Sequence, residues 1–320
     1  LNRFSNLEFI KLVEKHQIAY HEKTLGQLFC NNSAKDIINM LLNEANQNYC
    51  TIKTSTTIND VTYHNKQFTL TTTNGEFIAE SLVIATGGLS IAKMGASNFG
   101  YKIAEKFKLN IIATKPALVP FIFAPTLLDK TKILAGIAVK NVELSCKKIK
   151  FKEAILFTHK GLSGPAALQI SSYWGQNMDL TINLLPEINF YEKLIQEKIT
   201  NSHSDIATYT AKFIPKNLAK FICMQHDISG SLGNISNKNL AKFSQNINNW
   251  LITPDNIEGY HKAEVTKGGI DTRQIDAKSF AHKQYKNLFF IGELLDITGH
   301  LGGYNFQWAW SSGYCAGQYC

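Results

Sequence analysis

Three apolar, strand-like runs in this chain each stop on glycine, and that recurrence constrains the fold more than any other feature. "LVIATGG" ends in Thr86-Gly87-Gly88, "VTKGGI" carries Gly268-Gly269, and "LFFIGE" ends in Gly292-Glu293 shortly before "GGYN". A short apolar run bounded by turn residues reads as a strand buried on both faces. In an open parallel sheet, ligands sit beyond the carboxyl ends of the strands, where glycine lets backbone approach them closely. One such junction is usually a plain turn. Three of them, with Glu293 and Asp296 beside the last, predict a polar-ligand site of dinucleotide type.

The rest of the chain alternates around these runs. Ser5 and Glu8 stand in capping-box spacing before Leu7, Ile10 and Val13, which predicts a first helix. Ser33 precedes a second periodic run containing Ile37, Met40 and Leu41. Alternating residues around Asn74-Gly75 predict a hairpin that feeds the strand 82–86. From residue 116 the runs become short, β-rich and separated by turns. Between 187 and 251 the pattern turns helical, as in Leu240, Phe243, Ile247 and Trp250. The expected division is 1–115 and 270–320 as an outer α/β domain in two parts, 116–186 as a β-rich domain, 187–251 as a helical insert, and 252–269 as the strand returning to the β-rich domain.

Composition narrows the class. With 320 residues, 44% apolar, the chain has enough material for several domains and a sizeable core. Lys and Arg outnumber Asp and Glu by 33 to 25, a balance of +8. The excess is dispersed except at Lys147, Lys148, Lys150 and Lys152, which read as a solvated turn rather than a nucleic-acid footprint. The six cysteines form no CxxC pair and no cluster with His, so neither a metal site nor a disulfide framework is expected, and free thiols in a reducing cytoplasm fit best. No apolar run approaches the ~18 residues of a membrane span.

Four stretches in order, "SLVIATGGLSIAKMGASNFGYKIAEKFKL", "EAILFTHKGLSGPAALQIS", "AEVTKGGIDTRQID" and "LFFIGELLDITGHLGGYNFQWAWSSGYCAG", together with "IAYHEKTLGQLFC" near the start, resemble the successive motifs of the BaiN/YhiN-like FAD-dependent oxidoreductases. That family includes aminoacetone-oxidase-type members. Ala92 and Asn98 depart from it, standing where the family usually shows Pro and often Gly. The family opens with a strand, G-x-G-x-x-G and a helix, and no such fingerprint occurs here. The sequence, which begins with Leu1, is therefore expected to start inside an N-terminally incomplete Rossmann-like FAD/NAD(P)-binding domain, with the β-rich and helical domains inserted.

The resemblance implies FAD as cofactor, NAD(P)H as co-substrate, and hydride transfer to or from a small organic substrate; the dispersed charge and the lack of a long apolar run add the expectation of no nucleic-acid or membrane partner. The resemblance leaves open an oxygen-using amine oxidase and a non-catalytic flavin- or nucleotide-binding module. Glu293 is the first candidate to grip the ribityl hydroxyls and Asp296 the second, because a carboxylate after a strand accepts two hydrogen bonds. Amides at Gly303, Tyr304, Asn305 and Phe306 would open a helix whose positive end stabilises the electron-rich edge of reduced flavin. Ile58 matches the family position whose backbone meets the adenine. Thr86, Gly87, Gly88, Gly268, Gly269 and Gly292 complete the expected cofactor contacts. His159 and Lys160 are candidates for proton donation or carbonyl binding, but side chains of this kind are usually only solvated. No metal ligand set is expected.

Overall fold

The structure, a computed structural model, describes residues 1–23 and 26–320. Thr24 and Leu25, inside "IAYHEKTLGQLFC", lie outside the described residues. The chain is mixed α/β and divides into two compact units, residues 1–115 with 265–320, and residues 116–264.

The first unit opens with α1 (Asn6–Lys15), where the Ser5 hydroxyl accepts from the Glu8 N–H at 3.3 Å, the cap expected from the spacing. A hairpin of β1 (Tyr20–Glu22) and β2 (Leu28–Cys30) follows. Next comes α2 (Lys35–Gln47), which begins one residue later than a Ser33 cap would give, since Ala34 holds the cap position and Ser33 Oγ accepts from Lys35 N–H. β3 (Ile58–His64), β4 (Gln67–Thr72) and β5 (Gly75–Ala79) form an antiparallel meander. Its second turn is Thr73-Asn74, with Gly75 opening β5 at φ +104°, so the positive φ falls on the glycine as steric arguments require. β6 (Leu82–Ile84) leads through the Thr86-Gly87-Gly88 turn to α3 (Phe99–Lys106) and then to β7 (Ile111–Ala117), which carries the chain to the unit boundary.

The second unit holds β8 (Phe121–Ile122), α4 (Pro125–Thr131), β9 (Ala138–Cys146), β10 (Ile149–Phe157), β11 (Gly161–Ser163), α5 (Pro165–Ser171), β12 (Leu180–Asn183), α6 (Phe190–Thr200), α7 (Ile206–Thr210), α8 (Lys216–Gln225), α9 (Asn237–Asn248), β13 (Trp250–Ile252) and β14 (Asn256–Ile257). Its strands make one antiparallel sheet in the order β13-β12-β9-β10-β11-β8-β14. Helix and sheet residues share a single core: Phe190, Phe221 and Phe243 from α6, α8 and α9 are buried together with Leu144, Ile155 and Ile182 from the sheet. The helical segment is therefore not an independent body, because its apolar faces have no other partner layer. Lys147 and Lys148 form the two-residue turn between β9 and β10, while Lys150 and Lys152 pair with Glu143 and Glu187.

The chain returns to the first unit in β15 (Val265–Ile270), β16 (Leu288–Phe290) and α10 (Tyr304–Gly317). β15 pairs with β7, so this segment belongs to the first unit and not to the β-rich one with which 252–269 was grouped. β16 lies parallel to β6 in the register Leu288↔Leu82 to Phe290↔Ile84, which brings the turns after both strands to the same end of the pair. Ile84, Leu288 and Phe290 join Tyr101, Ile103 and Leu109 in the buried core behind that end.

Candidate functional site

The parallel pairing of β6 and β16 sets the Gly87-Gly88 turn beside the Gly292-Glu293 turn, and β15 supplies the third wall. Glu293 Oε1 accepts the Thr266 backbone N–H at 2.7 Å. The Thr266 hydroxyl accepts the N–H groups of Leu89 at 2.8 Å and Ser90 at 3.2 Å and shares a hydrogen bond with Ser90 Oγ at 3.1 Å. Gly88 makes this close packing possible: a Cβ there would lie 2.5 Å from both Glu293 Oε1 and Thr266 Oγ1. Burial pushes the Glu293 carboxyl above the usual carboxylate range, opposed by the Thr266 N–H and hydroxyl.

Helix α10 is locked to the same cluster. Ser312 Oγ accepts the Gly292 N–H at 2.9 Å, and Trp308 Nε1–H donates to the Gly292 carbonyl at 2.9 Å. Gly303 caps α10 in left-handed backbone, φ +88°, with no side-chain cap and no acidic residue in the first turn. Its first-turn amides are thus the positive end of a 14-residue helix. Asn305 shapes the approach to that end, its side chain accepting from Gly299 N–H at 2.8 Å and donating to the carbonyls of Gly299 and His300. Open space lies beside Gly87 and Gly303, where an added Cβ would meet nothing within 4 Å. A carboxylate, glycine backbone with open space and a helix N-terminus make a donor and acceptor set suited to a ligand carrying hydroxyls and an electron-rich edge.

The other expected residues fall in distinct places. Gly268 and Gly269 are buried against the chain's own backbone, since Cβ atoms there would lie 2.5 Å from the Ala113 carbonyl and 2.6 Å from the Leu294 carbonyl. That backbone packing requires glycine at both positions. The Thr86 side chain is also packed against the protein, its Oγ1 sitting against Gly100 of α3. Asp296 is held through its backbone N–H to the Ile270 carbonyl at 2.9 Å, and Ile58 opens β3 opposite Thr72 against the core. Tyr304 and Phe306 are exposed, Phe306 stacking on Trp310 at 5.9 Å. His159 and Lys160 belong to the second unit, on an exposed turn pinned by Thr158 Oγ1, with Lys160 paired to Glu258 at 3.1 Å.

Sequence reasoning missed Thr266 and Ser90. Thr266 is fully buried, a polar side chain in a short strand one residue ahead of a glycine pair, and that signal was available in "VTKGGI". Among the described residues no group of three or more His, Cys, Asp or Glu is placed to hold a metal ion, and no helix is long and apolar enough to cross a membrane.

A parallel strand pair with glycine turns, a buried carboxylate and an uncapped helix N-terminus at one end defines a Rossmann-like site. The particular family follows from comparison: residues 1–319 match the model of the HI0933-like protein Rossmann domain, and the chain belongs to that family, the BaiN/YhiN-like group its motifs resemble. It is 42% identical over 319 residues to the ribosomal RNA dihydrouridine synthase of Escherichia coli K12, covering 99% of this chain and 80% of that one. Identity to the protein of the same name from Haemophilus influenzae is 40% over 327 residues, again 99% and 80%. The 3-dehydro-bile acid delta(4,6)-reductase of Clostridium scindens is 25% identical over 311 residues, 90% of this chain and 73% of that one.

Proposed function

We propose that this protein is a flavin-dependent reductase that saturates the C5–C6 double bond of a uridine in ribosomal RNA, with NAD(P)H as electron source. The observation that carries this reading is the 42% identity, over 99% of the chain, to a protein named for that product. The bile acid reductase likeness supports reduction as the reaction class. On this reading the substrate is a base within RNA instead of the free small molecule, without nucleic acid, that the motifs alone suggest. A net charge of +8 favours encounter with a polyanion.

FAD fits the residues present. Glu293 would accept hydrogen bonds from the ribityl hydroxyls, the Gly87 and Gly303 backbones would let the cofactor approach without side-chain interference, and Ile58 would meet the adenine. The first-turn amides of Tyr304, Asn305 and Phe306 would lower the energy of the electron-rich flavin edge through the positive end of α10. When bound, the flavin supplies the hydride. Conversion of uridine to dihydrouridine takes up one hydride and one proton, and His159 and Lys160 are the candidates for proton delivery or phosphate contact.

The test compares ribosomal RNA from cells with and without the gene, digested to nucleosides and analysed by mass spectrometry, with restoration by purified protein, FAD and NADPH. Loss of a nucleoside heavier than uridine by two hydrogens, and its return on addition of protein, is expected. Identical digests would overturn the proposal, and flavin reduction by an amine instead of NAD(P)H would move the reading to an oxidase.

A further inference from the structure

We propose that the second unit carries a groove for single-stranded RNA, in which a cavity bordered by β9 takes a base and lysines of the β9–β10 hairpin and the cavity rim hold the neighbouring phosphates. This rests on the reading that the substrate is a uridine within ribosomal RNA. The lysine run at 147–152, which alone reads as a solvated turn, gains this role from the cavity beside it.

The cavity measures about 500 Å³ and lies wholly within the second unit. Its walls are residues 138–141 of β9, the connection 184–188 from β12 to α6, and the connection 211–215 from α7 to α8. That volume is in the range of small-molecule sites. Pro186 and Phe213 give it apolar surface, and the Phe213 ring is fixed by T-shaped contacts with Phe190 and Tyr209, each at 5.4 Å. A preset aromatic ring beside a cationic rim suits a single strand, because every base has a π-face to stack while the phosphates need positive charge.

The rim is cationic through a specific backbone device. Glu153 pairs with Val142 and Ile155 with Val139, so Lys140 and Asn141 of β9 stand opposite the single residue Ala154. This is a β-bulge, with Asn141 in left-handed backbone at φ +54°, and a bulge re-aims side chains out of the regular alternation. Lys140 and Asn141 are both exposed and both line the cavity. Lys212 borders it from the α7–α8 side, and Glu187 of the remaining wall pairs with Lys152 of β10. Lys152 and Lys150 share one face of β10, which carries the row of lysines on to the Lys147-Lys148 turn. The carboxylates paired within this row are Glu143 with Lys150, Glu187 with Lys152 and Glu197 with Lys212. Surface pairs of this kind contribute little, so those lysines exchange readily onto phosphate. Lys140, Lys147 and Lys148 form no ion pair among the described residues.

The test measures binding of a fluorescein-labelled single-stranded RNA of about 16 nucleotides to the full chain by anisotropy, across a salt series. In K140Q/K147Q/K148Q, affinity at low salt should fall by about tenfold or more. The slope of log affinity against log salt concentration should become shallower by about 2, at ~0.7 per lost phosphate contact. K238Q/K242Q/K262Q removes the same charge from lysines of the same unit that lie outside the cavity lining and the hairpin, and should keep most of the affinity. Equal losses in the two variants, or none in the first, would overturn the proposal. A second measurement needs no variant: 4-thiouridine placed along the RNA and irradiated on the wild-type chain should crosslink to peptides containing Asn141 or Phe213. Crosslinks confined to other peptides would equally overturn it. Ribosomal RNA whose dihydrouridine content does not depend on the gene would sink the uridine reading, while anisotropy and crosslinking still decide the groove.

Discussion

Glu293 Oε1 lies 2.7 Å from the backbone nitrogen of Thr266, 27 residues away in sequence, and this contact ties the turn after β16 to the third strand of the site. The neighbouring turn and helix pack around it: Gly88 is glycine because a side chain would strike both partners, and α10 is bonded to Gly292 next to it.

The carboxyl of Glu293 titrates above its unfolded value because it is buried. A folded state that holds its proton more tightly than the unfolded state is stabilised below the unfolded value and loses that stability as pH rises through the raised folded value. Unfolding free energy, measured by urea titration across the weakly acidic range, should therefore decline with rising pH in wild type more than in E293Q. In the flavin-loaded protein, Glu293→Ala should weaken cofactor affinity by about tenfold or more, for loss of one or two charge-assisted hydrogen bonds. Unchanged retention of flavin through dialysis would show that Glu293 does not hold the cofactor.

Two glycines of the site should respond in opposite ways. Gly88→Ala drives a methyl to 2.5 Å from Glu293 Oε1 and Thr266 Oγ1, an overpacked contact expected to cost about 1–3 kcal/mol, seen as a fall in Tm. Gly303→Ala meets nothing within 4 Å and carries only the left-handed backbone penalty of about 1 kcal/mol, yet narrows the ligand side of the α10 N-terminus. Calorimetry and flavin binding on the pair should separate a stability defect in the first from an affinity defect in the second.

Asn305→Leu removes the three side-chain hydrogen bonds that hold Gly299 and His300. Each is worth about 1 kcal/mol net. Hydrogen exchange across residues 297–303 should accelerate, with the second unit unchanged.

Burial pushes the Cys223 thiol up to about 12. At mildly alkaline pH it should remain a thiol and resist iodoacetamide in the folded protein, as should buried Cys146, whereas exposed Cys50 and Cys320 should be alkylated. Peptide mapping before and after denaturation reads this directly; early modification of Cys223 would mean that the α8 core opens.

Local signals in the sequence were read well where the deciding contact is a few residues away. Ser5 caps α1, and Leu240, Phe243 and Ile247 are buried on one face of α9. The glycine turns after β6 and β16 also come together at one end of that strand pair, because an apolar run and a glycine turn record burial and backbone shape within a short window. The hairpin turn shifted by one residue, since only the register Thr72↔Gly75 decides which positions form the loop.

What the sequence by itself determined was that Gly87, Gly88, Gly292 and Glu293 would stand at strand ends and that Gly303 would open a helix. What only the tertiary structure decided was which glycines leave space for a ligand and which make room for the protein. Gly87 and Gly303 face open space, while Gly268 and Gly269 are filled by the backbone of Ala113 and Leu294. The partner of Glu293 was likewise hidden, because β15 brings Thr266 to the turn after β16 only through tertiary packing, on a strand that the sequence enters after the 149 residues Pro116–Glu264 of the second unit. Hydrogen bonds reach a few ångströms in space whatever the separation in sequence, so the chemistry of a site drawn from three distant strands is fixed by the packing that assembles them.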